Sequence, residues 1–334
     1  MKRDIALDIV RVICTLWIVC VWHLSSYSDS WDISQSIICQ NLTRASLFCF
    51  MFLSGYLLKK YRFECLYDVG VFYKKRFLRF YPLFFVSALL LFLVSNAIGK
   101  PWFNSNSQFV LCVLGLSSFS MPQPPTLWFM SMLMFFYIIT PLLNYNHKRG
   151  LLRVILLFFL FLTLFLRKGQ FDIAIFQYGF AYFMGFLLPI SVVARLRETP
   201  FLGFALLVFG IVLLLIDILF GDIINTLNSI KILFIIFLSS VFTFSLLSLS
   251  YFIVNKLSAR TGGGILFHIV QFIAYSSFAL YLFHRHIYQS LEFVCESLQI
   301  APSIIILYLV FVPIAIFSSY CIQIIYDKLI KLLK

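Results

Sequence analysis

Ten apolar runs, each close to the roughly 20 residues that a helix needs to cross about 30 Å of hydrocarbon, follow one another along this chain. They lie near 7 to 27, 40 to 58, 80 to 99, 126 to 144, 151 to 166, 171 to 192, 201 to 220, 231 to 254, 266 to 289 and 302 to 325. The fifth is short, which leaves nine or eleven spans open. Hydrophobic residues make up 62% of the 334 positions and charged ones 12%, with 41 Phe, more apolar side chain than a water-soluble core of this size can hide. The expected fold class is therefore all-α: a polytopic membrane protein of about ten transmembrane helices. Residues 1–334 are expected to form a single transmembrane domain with no appended soluble domain. The first run is too long for a cleaved leader and lacks a small-x-small exit, so it reads as the first span.

Charge gives the expected orientation. Lys and Arg number 26 against 13 Asp and Glu, a net +13 that by itself suits nucleic acid, an anionic membrane face or an anionic small molecule. With both termini in the cytoplasm, 19 of the 26 basic residues fall in cytoplasmic segments, as the positive-inside rule requires. The exceptions are Arg11, Arg44, Lys100, Arg167, Lys168, Lys231 and Arg285. This arrangement leaves only cytoplasmic connectors of about 5 to 20 residues and no basic soluble domain, which removes nucleic acid as a partner. The outer stretches Asp29 to Gln40 and Lys100 to Pro125 are connectors or lids over an outward-facing site. The eight Cys show no CxxC and no metal-ligand spacing, and only Cys39 and Cys295 are placed to pair in an oxidising compartment.

Ionisable groups inside spans are costly and are candidates for function. Asp8 and Arg11 lie three apart on one face of the first span, which allows an ion pair, and His23 follows farther along. They mark either an interface and a packing histidine or a site. His268, His284 and His286, with Arg285, sit in the ninth span, the last three near its end; Asp217 lies within the seventh, Asp172 starts the sixth, and His147 reads as a loop residue. Lys74, Lys75, Arg76 and Arg79 precede the third span, with Arg76 and Arg79 on one face of any helix formed there. Guanidinium forks hold phosphates bidentately, so this cluster binds either a phosphorylated donor or anionic lipid.

Taken together, these segments resemble the bacterial acyltransferase family three, integral-membrane enzymes that O-acylate cell-surface glycans. Leu7-Asp8-Ile9-Val10-Arg11 through Trp22-His23 is similar to that family's opening LD-x-x-R…H, and Phe50-Met51-Phe52-Leu53-Ser54-Gly55-Tyr56-Leu57-Leu58 to its FF-x-x-SG-[FY]-L-L. Phe72 to Pro82 matches F-x-x-x-R-x-x-R-x-x-P. Leu127-Trp128-Phe129-Met130-Ser131 with Tyr137 and Pro141, Phe183-Met184-Gly185-Phe186, and Ser277 to His284 complete the series in family order over residues 7 to 286.

The resemblance implies a bacterial cytoplasmic (inner) membrane enzyme with no permanently bound cofactor. It takes an acyl group from cytoplasmic acyl-CoA, most often acetyl-CoA, and delivers it to a hydroxyl of a surface polysaccharide or lipid-linked glycan precursor. A hydroxyl attacking a thioester needs a base, for which His23 is suited. Arg11 then serves the thioester end, while Arg76, Arg79 and Lys75 hold the CoA phosphates. Asp8 and His284 support the site, Ser54-Gly55 allows close backbone packing, and Trp128, Tyr137 and Tyr281 line a pocket or anchor at the interface. Two departures matter. Many family members have ten residues between the Arg and His of the first span, whereas eleven separate Arg11 from His23. An 11-residue step returns to within about 20° of the starting face and a 12-residue step lands about 120° away, so a π-bulge is expected between them. Many members also carry Glu where Leu133 stands, so no acid is assigned there. The competing class is a transporter or flippase for a lipid-linked glycan, which predicts helices broken by Gly or Pro at matching places in two halves.

Overall fold

Backbone N–H and C=O groups facing lipid have to be satisfied within their own segment, and among the described residues the chain forms helices and no strand. The computed structural model describes residues 4–28, 31–117, 126–144, 150–166, 173–226, 228–261 and 264–332. His147 and Asp172 lie outside them. Helix α1 (Ile5–Leu16) runs directly into a π-helical stretch, Trp17–His23. There follow α2 (Ile37–Leu58), α3 (Leu66–Ala97), α4 (Asn106–Val113), α5 (Leu127–Asn144), α6 (Gly150–Leu166) and α7 (Ile173–Leu187). Then come α8 (Ile190–Glu198), α9 (Pro200–Thr226), α10 (Asn228–Thr261) and α11 (Gly264–Ser297). The last span opens as α12 (Ile304–Ile306), widens into π-helical Leu307–Phe311 and closes as α13 (Val312–Leu332).

Eight of these helical segments are long and apolar enough to cross a membrane, and nine if α7 and α8 count as one broken span. The ten expected spans are corrected in three places. The sixth stops at Leu187, where the chain bends by 88° into α8. Pro189 lacks an N–H and disfavours helical geometry in Leu188, so the helix cannot run through. The fifth, α6, has 17 residues and forms a shorter apolar helix. The third begins at Leu66, so the basic stretch Lys74 to Arg79, expected to precede the span, forms turns of α3 itself.

The chain makes two compact units, each discontinuous in sequence: Met1–Leu57 with Phe180–Ser277, and Leu58–Gly179 with Phe278–Lys334. In the first, Ile9 and Val12 of α1 pack with Val270 and Ala274 of α11. Ala45 of α2 meets Leu213 and Leu214 of α9 and Leu238, Val241 and Phe242 of α10. Asn41 Nδ2 donates to the carboxylate of Asp217 at 2.6 Å, which satisfies a charge in the middle of an apolar helix. Helices α2 and α7 meet backbone to backbone. A Cβ on Gly55 would fall on the carbonyl oxygen of Tyr182, and one on Gly185 would fall on that of Phe52. Small residues allow this approach where lipid gives no hydrophobic drive for helices to associate.

In the second unit α3 packs along α5 and α11. Tyr73 Oη donates to the Ile138 carbonyl at 2.6 Å, Phe80 stacks near Phe278 at 5.0 Å, and Ser87 Oγ donates to the Leu282 carbonyl at 2.9 Å. Lys100, just past α3, pairs with Glu296 at 2.8 Å near the end of α11. All eight cysteines are free, Cys39 and Cys295 included. Leu219 on α9 and Leu309 and Phe317 on the last span are exposed apolar side chains of the kind a lipid-facing surface carries.

The reciprocal glycine contact makes a sharp expectation. Gly55→Ala and Gly185→Ala each force α2 and α7 apart and are expected to destabilise by about 1–3 kcal/mol. Thermal unfolding in detergent checks this, with the double variant losing less than the sum because both substitutions open the same contact.

Candidate active site

The first span carries its polar groups in order. Asp4 caps α1, accepting from the Ala6 N–H at 3.0 Å. One turn on, Asp8 is only 3% exposed and pairs with Arg11 at 3.3 Å, and Thr15 Oγ1 donates to the Arg11 carbonyl at 2.9 Å. The helix then widens over Trp17–His23. Trp17 anchors the start of the wide turns by donating from Nε1 to Thr43 Oγ1 of α2 at 3.1 Å. His23, 2% exposed, ends them with its ring 4.2 Å from that of Trp22. The expected π-bulge between Arg11 and His23 is therefore present. It absorbs the additional residue, so the 12-residue interval advances the helix phase as an 11-residue one would. On α2, the Ser54 hydroxyl donates to its own helix at the Phe50 carbonyl (2.9 Å), and Gly55 makes the α7 contact described above.

In the second unit the basic cluster divides. Lys75 and Arg79 are exposed, whereas Arg76 is half-buried. Its guanidinium lies 5.3 Å from the Tyr61 ring, 5.5 Å from Phe72 and 5.4 Å from Tyr137, and donates to Tyr61 Oη at 3.2 Å. Among the described residues no carboxylate reaches it. Aromatic faces hold the cation and leave the edges of its fork for an anion. Asn144 closes this end by donating to the Lys59 and Tyr61 carbonyls. Beside it, burial lowers the pKa of the Lys59 ammonium.

Toward the middle of the same unit lie Tyr281 and His284. His284 is fully buried, with Nδ1 3.0 Å from the Leu280 carbonyl, and its ring stands between those of Tyr281 (6.2 Å) and Tyr288 (5.8 Å). Helix α11 continues to Ser297, so His284 lies well inside it rather than near its end. Its neighbour His286 contacts Ser87, with Nε2 2.7 Å from the carbonyl and 3.2 Å from the hydroxyl. Trp128 packs on Tyr178 at 5.8 Å. Tyr281 Oη donates to the carbonyl of Thr126 at 3.2 Å. Thr126 has φ +68°, a left-handed conformation that costs a β-branched residue on the order of 1–3 kcal/mol. Sequence reading missed Tyr61, Thr126 and Tyr178. Only Thr126 left a trace, standing immediately before the Leu127-Trp128 segment.

The named residues thus form two sets. Asp8, Arg11, His23, Ser54 and Gly55 belong to the first unit, and Lys75, Arg76, Arg79, Trp128, Tyr137, Tyr281 and His284 to the second. Within the second unit, Arg76 and Ala97 are separated by about 32 Å of helix, the thickness of a bilayer core.

Helices throughout the described residues, eight or more of them long and apolar enough to cross a membrane, with half-buried guanidinium and buried imidazole groups among them, define a multi-pass membrane protein. It matches the acyltransferase domain of acyltransferase family three over residues 4–326, and belongs to that family of membrane acyltransferases. No curated protein and no solved structure is significantly similar to it.

The left-handed Thr126 depends on the bonds it receives from α11. Tyr281→Phe removes one of them and leaves the buried carbonyl unsatisfied, with an expected loss of about 1–3 kcal/mol in thermal unfolding. Thr126→Gly, which adopts the conformation without strain, is expected to recover part of that loss when added to Tyr281→Phe.

Proposed function

We propose that the protein transfers an acyl group, acetyl foremost, from acyl-CoA to a hydroxyl of a cell-surface polysaccharide or lipid-linked glycan precursor in the bacterial cytoplasmic membrane, with both termini on the cytoplasmic side. The observation that carries this reading is the π-helical stretch ending on buried His23. Wide turns are uncommon and concentrate at functional sites, and this one restores the helix phase shared with the Asp8–Arg11 pair.

The chemistry follows from the groups present. The acceptor hydroxyl oxygen attacks the thioester carbonyl carbon while His23 takes its proton. The tetrahedral oxyanion collapses, the C–S bond breaks, and the imidazolium returns the proton to the departing thiolate. Arg11 supplies positive charge at the thioester end, and Asp8 holds Arg11 in place. The half-buried guanidinium of Arg76 and the exposed Arg79 and Lys75 form a site for the phosphates of CoA. Within the second unit, Trp128, Tyr137, Tyr281 and His284 line a pocket on the Arg76 side of the reaction. A transporter needs broken helices at matching places in two halves, whereas among the described residues a single span is bent sharply at a break.

Purified protein with labelled acetyl-CoA tests the reading. His23→Ala is expected to lower turnover by about 10²–10⁴-fold while donor binding persists, and Arg76→Ala with Arg79→Ala to weaken donor binding at least tenfold. Full transfer by His23→Ala would falsify the base assignment. The wide turn has its own test. Deleting Val21 is expected to give a regular helix that keeps the His23 phase and retains activity, whereas inserting one Ala after Val21 rotates the imidazole by about 100° and abolishes it.

A further inference from the structure

The second unit holds another guanidinium that meets no carboxylate among the described residues, at the end away from Arg76. Arg285 of α11 is half-buried. Its Nε donates to Thr126 Oγ1 at 3.3 Å and its guanidinium lies 5.1 Å from the Trp102 ring. Among the described residues no carboxylate reaches it. The nearby acids are engaged elsewhere: Glu292 and Glu296, two to three turns farther along α11, both pair with Lys100, at 3.5 and 2.8 Å. The Glu296 hydrogen bond raises the pKa of Lys100 above its ordinary value. A cation half-withdrawn from water without a counter-charge is costly, and among the described residues its Nη groups meet no acceptor.

Its surroundings are fixed. Trp102 donates from Nε1 to Gln289 Oε1 at 3.1 Å, and Gln289 is 3% exposed, so the indole is locked with the guanidinium over its ring. Thr126 is held in its left-handed conformation with the hydroxyl turned to Arg285. A planar cationic fork stacked on an indole, with a hydroxyl and an amide at its margins, suits an acidic group on a glycan: the oxyanion takes the open edge of the fork bidentately and the sugar packs against the uncovered part of the indole.

We propose that Arg285, Trp102, Thr126 and Gln289 form the acceptor subsite, and that it recognises an anionic group on the glycan acceptor. That group is a carboxylate on the sugar or the phosphate joining the glycan to its lipid. The proposal rests on the acyltransfer reading for the word acceptor. Binding at the subsite needs no donor and is measured independently of it.

The experiment uses the full chain in nanodiscs and measures direct binding of two probe pairs. One is a glucuronate-terminated disaccharide against its glucose-terminated counterpart, and the other a long polyprenyl phosphate against the polyprenol. The wild type is expected to bind one anionic probe at least tenfold more tightly than its neutral partner, and the pair that shows the preference identifies its source. Arg285→Gln is expected to abolish that preference, and Arg285→Lys, which keeps the charge without the fork, to retain part of it. If Arg285→Gln fails to fold, Trp102→Phe, which loses the Gln289 bond, is expected to weaken the preferred probe severalfold. Equal binding of anionic and neutral probes by wild type, an undiminished preference in Arg285→Gln, or undiminished binding in Trp102→Phe where that variant stands in, overturns the proposal. A wild type that binds the anionic probe yet never turns over acyl-CoA overturns the acyltransfer reading instead.

Discussion

Hydrocarbon offers no hydrogen bonds, so a polar group taken into a membrane has to find its partner within the protein. Most local structure follows from this. Several hydroxyls inside the helices return to their own backbone, as Thr15 does to Arg11, Ser54 to Phe50, Thr140 to Phe136 and Ser240 to Ile236, and others bond across to a neighbouring helix, as Ser87 does to Leu282. The carboxylate of Asp217 meets the Asn41 amide, and that of Asp8 meets Arg11. Against this background Arg76 and Arg285 stand out. Each is half-buried and rests on aromatic rings, with no carboxylate among the described residues to neutralise it. Ring faces stabilise a cation by about 0.5–2 kcal/mol, less than a full counter-charge would, so both sites remain receptive to anions.

The π-helical turns before His23 work within the same constraint. A wide turn keeps its backbone bonded but spoils the side-chain spacing of a regular helix. It persists where its surroundings hold it, and here Trp17 is tied to Thr43 of α2 while Ile18 and Val19 are fully buried. The consequence is rotational. Residues before the wide turns keep one phase, and by helix geometry the interval from Arg11 to His23 advances as an 11-residue step would.

What could be read from the sequence was whatever depends on composition and local spacing. The ten apolar runs all correspond to helical segments, because span length and hydrophobicity are set by lipid rather than by neighbours. The π-bulge was legible for the same reason, as a phase error of one residue. Features that depend on distant parts of the chain were not. Nothing near Gly55 names Gly185 as its counterpart, since their contact comes from the crossing of α2 and α7. Helix α3 starts earlier than its apolar run because charged residues extend a helix past the hydrocarbon at little cost, and hydropathy does not register them. His284 looks like an interfacial residue only if its helix ends soon after, yet α11 continues for more than three further turns. Thr126 carries no sign of its left-handed backbone, which is held by Tyr281 and Arg285 about 155 residues away along the chain.

The two arginine sites also bear on how an acyl group would cross. Phosphates do not enter hydrocarbon without a large penalty, so a CoA molecule held at Arg76, as proposed, would keep its charged portion at that face and admit only its neutral thioester arm. An acidic acceptor held at Arg285 is likewise confined by its charge and presents only hydroxyls inward. On this reading the neutral thioester arm and the acceptor hydroxyls approach one another within the second unit, at a depth where neither charged group can follow.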